Sequence, residues 1–87
     1  MKKLTDPIHP GEILADELDA IQMTAAMLAS SIGIPENCLD DILNENSGVT
    51  ADIAMRLGVF LNTGPHLWMN LQKSYERDIA NPLIQGN

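Results

Sequence analysis

The chain has 87 residues, 45% of them hydrophobic and 20% charged, with a formal net charge of -7. That length supports a single hydrophobic core, and the composition excludes a chain that is disordered along most of its length. The one cysteine, Cys38, excludes an internal disulfide or a multi-cysteine zinc site, and no apolar run approaches the roughly 20 residues that span a bilayer.

Charge is unevenly spread. No Lys or Arg lies between Leu4 and Met55, yet that span holds ten of the twelve acids. Such a surface repels polyanions and attracts basic partners. A domain this small buries only about 60 to 65% of its unfolded surface, so association is a natural supplement to its stability and a homodimer is expected. A lone cysteine fits a reducing cytosol. Lys2 and Lys3 lead into polar residues and not an apolar core, so no secretory leader is expected and the expected location is the cytoplasm.

The apolar spacing is helical throughout, with no strand-like alternation. Pro10 and Gly11 open the first helix, where Leu14, Leu18 and Ile21 form one face and Glu12, Asp16 and Asp19 the other. Thr24 caps a second helix, with Met27, Leu28 and Ser31 on its inner side and an end near Gly33. After Pro35 a third helix runs to about Glu45, burying Leu39, Ile42 and Leu43, until Asn46, Ser47 and Gly48 break it. Thr50 caps a fourth, whose stripe is Ile53, Ala54, Leu57 and Leu61. Pro65 starts a last helix reaching about Arg77, with Leu67, Trp68, Leu71 and Tyr75 turned inward. Trp68 is expected in the core, because the only Trp of a small domain seldom stays exposed. The expected organisation is an all-α domain over residues 1–78, with an irregular tail over 79–87.

Residues 24–45 carry the spacing of a helix-turn-helix. Two short helices meeting at a tight turn need a small residue at Ala29 and a permissive one at Gly33, with apolar anchors at Ile32, Ile34, Leu39 and Ile42. Three blocks make a resemblance specific: HPGEIL at 9–14, LASSIGIPENCLDDILN at 28–44 and VTADIAMRLGVFLNTGPHLWMNLQKSYE at 49–76. In this order they resemble HigA-type antitoxins of the Xre/Cro/lambda-repressor-like helix-turn-helix class. The resemblance implies a five-helix homodimer that neutralises a small basic RNA-cleaving toxin of HigB/RelE-like type and represses its own operon. It also implies that Thr24, Glu36, Asn37, Asp40, Asp41 and Asn44 face operator DNA, and that the acids of the first helix, Glu12, Asp16 and Asp19, are candidates for the toxin contact.

The third helix departs from this pattern. It offers DNA no cation, although basic side chains supply most non-specific affinity by releasing counterions. A carboxylate about 7 Å from a phosphate adds roughly 0.6 kcal/mol of repulsion in water, so Glu36, Asp40, Asp41 and Glu45 together cost ~1 to 2 kcal/mol once salt screens them. Asn37 and Asn44 can pair with adenine, and Asp or Glu can accept from the cytosine amino group. A second reading therefore stands beside the first: a helix-turn-helix fold kept for protein interaction after losing DNA binding. Enzyme chemistry is not expected. His9 and His66 lack ligand spacing, Cys38 has no histidine partner in sequence, and no phosphate loop or hydrolase elbow is present. No cofactor is expected, and His9 is assigned to the start of the first helix.

Overall fold

The computed structural model describes residues 7–80, which form five helices: α1 (Pro10–Ile21), α2 (Ala25–Ile32), α3 (Glu36–Leu43), α4 (Ala51–Phe60) and α5 (Pro65–Ala80). Lys2, Lys3 and residues 81–87 of the expected tail lie outside the described residues. The last helix continues three residues past the expected end at Arg77. Among the described residues, no helix is long and apolar enough to cross a membrane.

Three of the helices, α1, α2 and α4, start where side-chain chemistry satisfies their free amides. His9 Nδ1 accepts from the Gly11 N–H at 2.9 Å, while the Glu12 carboxylate reaches back to accept from the His9 N–H at 3.2 Å. This is a reciprocal cap with histidine in the usual serine position. The hydroxyls of Thr24 and Thr50 accept from Met27 N–H and Ile53 N–H, opening α2 and α4 as the sequence predicts. α3 has only Pro35 at its cap position and no side-chain cap.

The turn between α2 and α3 hinges on Gly33, whose φ of 78° lies in the left-handed region that a side chain disfavours. Its N–H and that of Ile34 both donate to the Ala29 carbonyl, closing α2 with two hydrogen bonds to one acceptor. Gly11 is required for a different reason. A Cβ there would run into the Ile42 carbonyl, so only glycine lets the start of α1 lie against the end of α3. The HPG segment thus fixes one side of the helix-turn-helix and Gly33 the other.

The core gathers Leu14 and Leu18 of α1, Leu28, Ala29 and Ile32 of α2, Leu39 and Ile42 of α3, Val49, Ala54 and Leu57 around α4, and Trp68 of α5. α4 and α5 pack on each other across a short turn, α1 packs on α3 and α5, and α2 packs on α3 and α4. Trp68 is fully buried and its indole N–H donates to the Thr63 hydroxyl at 3.0 Å. Gln72, also buried, accepts from the Val49 N–H at 2.8 Å and donates to Glu76 at 2.9 Å. It therefore clamps the α3–α4 loop onto α5.

Four expected core positions are exposed. Ile21 is the last residue of α1, where Gln22 turns left-handed at φ 58°, and Met23 packs on the core in its place. Met27 and Ser31 lie one step round the helix from the true inner stripe of α2, which is Leu28, Ala29 and Ile32. Leu67 lies at the edge of the inner stripe, which is centred on the buried Trp68 and Gln72 with Leu71 and Tyr75 half-buried beside them.

Candidate nucleic-acid interface

α3 is held by its apolar side. Leu39 and Ile42 are buried and Leu43 half-buried, so the helical period turns Asn37, Asp41 and Asn44 outward as one crest. Glu36 and Asp40 follow one flank of the crest, with Asp40 half-buried, while Cys38 and Glu45 follow the other. Asn44 ends the helix, and Glu45 adopts a left-handed φ of 64°. The N–H groups of Asn46 and Ser47 then donate back to the Asp41 carbonyl, tying the loop to the helix that precedes it. Thr24 stands apart at the start of α2, exposed, with its hydroxyl engaged by Met27 N–H.

The acids proposed for a protein partner separate into two kinds. Asp16 and Asp19 are exposed on the side of α1 opposite Leu14 and Leu18. Glu12 is half-buried and serves the His9 cap. Two residues with consequences for the site carry no obvious sequence signal. Arg56 of α4 donates to the Ile32 carbonyl at 2.6 Å, at the last residue of α2 before the turn, and pairs with Asp52 at 3.1 Å. Arg56 is thus spent on holding the hinge of the helix-turn-helix. Gln72 holds the loop that follows α3, and a buried glutamine is invisible to a search for apolar periodicity.

Two short helices crossing at a left-handed glycine, the second presenting a polar crest, define a helix-turn-helix protein. No protein-family model matches the chain. It is similar to an addiction module antidote protein of the HigA family from Coxiella burnetii, at 47% identity and a TM-score of 0.84 over 86% of this chain and 83% of that one. Pseudomonas aeruginosa antitoxin HigA, solved with the higBA promoter, is 43% identical with a TM-score of 0.83, covering 85% of this chain and 82% of that one. Antitoxin HigA-1 of Vibrio cholerae is 30% identical over 71 residues, 80% of this chain and 67% of that protein. The chain belongs to the HigA family of antitoxins. Like these relatives it is not an enzyme.

Proposed function

We propose that the protein is the antitoxin of a HigBA-type toxin–antitoxin module, and that it acts in the cytoplasm as a homodimer. It binds a small basic RNA-cleaving toxin of RelE-like type and occupies the operator of its own operon. The observation that carries this reading is the α2–Gly33–α3 unit with its open crest of Asn37, Asp41 and Asn44, in a chain 43% identical to an antitoxin solved with its promoter. Asn37 and Asn44 read adenine edges, Asp40 or Asp41 accepts from a cytosine amino group, and Thr24 and Glu36 border the groove. Residues 1–78 form the working domain and 79–87 an appendage to it.

The acidity of α3 does not decide against DNA. Its ~1 to 2 kcal/mol of repulsion is small beside the roughly 4 to 10 kcal/mol that separates specific from non-specific binding. It suppresses loose binding to arbitrary DNA while leaving the cognate contacts. The rival reading, an interaction module that has lost DNA, is the weaker one on this arithmetic. On the toxin side, a ribonuclease presents a basic surface to RNA, and Asp16 and Asp19 offer that surface carboxylates in place of phosphates. Glu12 contributes charge from its capping position.

Fluorescence anisotropy of the protein with its own upstream DNA, at low and moderate salt, tests the operator role. Micromolar or tighter binding that a scrambled duplex lacks supports it, and equal or absent binding to both overturns it. Co-expression with the product of the adjacent gene tests the other half, a stoichiometric complex with a small basic protein being the expected result.

A further inference from the structure

The outward side of α4 carries an apolar cluster that no role above uses. Met55 is 60% exposed, Val59 75% and Phe60 42%, and with Ser31, Ile32 and Arg56 they line an open groove of about 350 Å³ between α4 and the end of α2. Ala51, Met55 and Val59 recur every four residues, which aligns them as one ridge along the helix. Large apolar side chains grouped in this way on a small chain mark a contact surface. We propose that this ridge is where two copies of the chain meet, α4 packing antiparallel on α4 about a two-fold axis with Met55 of one copy against Val59 of the other. The proposal rests on the homodimer reading above and names its interface.

Charge selects this occupant. Two chains of net charge -7 meet with least repulsion through a surface that carries no net charge, and the outer side of α4 is such a surface. Asp52 and Arg56 are its only charged residues and they pair with each other at 3.1 Å. A basic toxin gains nothing electrostatic there and is drawn to the exposed acids of α1. Area agrees in scale. Met55, Val59 and Phe60 expose on the order of 300 Å² of apolar surface, enough for the desolvated centre of an interface that buries about 800 Å² per partner. The placement also suits DNA: α3 packs on α1 and α2 while α4 packs on α5 and α2, so a copy on the outer side of α4 leaves the α3 crest open.

Sedimentation velocity of the full chain across the micromolar range tests this, with Met55→Glu/Val59→Glu and, separately, the mild Val59→Ser. Both positions are mostly exposed, so helicity and the Trp68 emission are expected to stay native. The expected result is a wild-type dimer, a monomeric double variant and a dimer weakened about tenfold in Val59→Ser. Ile21→Glu, an exposed apolar position on α1, is expected to stay dimeric. A wild-type dimer that survives both α4 substitutions overturns the interface and leaves the homodimer standing, whereas a monomeric wild type removes both. A double variant that remains dimeric but no longer retains the toxin assigns the ridge to the toxin and overturns the proposal.

Discussion

His9 shows how one side chain can carry a local fold. Its imidazole accepts from Gly11, its own N–H is held by Glu12, and its ring meets Tyr75 edge-on at a centroid distance of 4.7 Å. His9→Ala is expected to lower stability by about 1 kcal/mol through the lost cap, read as a fall in the urea midpoint at unchanged slope. The role of His9 at a helix start was legible from HPGEIL, because proline beside it marks the first turn. Gln72 was not legible, since its burial depends on a loop 23 residues away whose Val49 N–H needs an acceptor. Gln72→Leu keeps the volume and orphans that donor, so thermal unfolding is expected to show a loss of about 1 to 3 kcal/mol. An apolar pattern finds positions that avoid water, and it is blind to a polar group buried to satisfy another.

Among the elements, the helix-turn-helix was the most readable, because Ala29, Gly33 and the caps Thr24 and Thr50 each announce a local geometry. The errors of the apolar pattern lay near the ends of helices: Met27 and Leu67 each sit one residue before the buried Leu28 and Trp68, and Ile21 falls where α1 stops. The need for glycine at position 11 was equally hidden, since it arises from the approach of α1 to the Ile42 carbonyl across the core. Which outward residues of α3 meet a ligand is not written in periodicity at all; the period fixes only that Asn37, Asp41 and Asn44 share a crest. Two substitutions separate their proposed roles. Asp41→Asn removes one repulsive charge and is expected to tighten DNA binding two- to threefold at low salt, about 0.6 kcal/mol. Asn37→Ala is expected to cost ~1 to 3 kcal/mol against the operator and almost nothing against unrelated DNA, as paired anisotropy titrations would show.

For the whole molecule, the net charge of -7 sets how it meets its partners. With few cations to release counterions, the plot of log affinity for DNA against log salt is expected to have a slope smaller in magnitude than about 3. Toxin association should respond in the opposite sense to added positive charge: Asp16→Lys/Asp19→Lys is expected to slow the on-rate about tenfold in stopped-flow mixing, with the loss shrinking at high salt. The sole indole of the chain has a further practical consequence. Trp68 is sealed from solvent and bonded to the Thr63 hydroxyl, whereas the α3 crest, Asp16 and Asp19 of α1 and the ridge of α4 are exposed. Its fluorescence is an internal gauge of folding that stays silent during complex formation, so one emission spectrum distinguishes a variant that no longer binds from one that no longer folds.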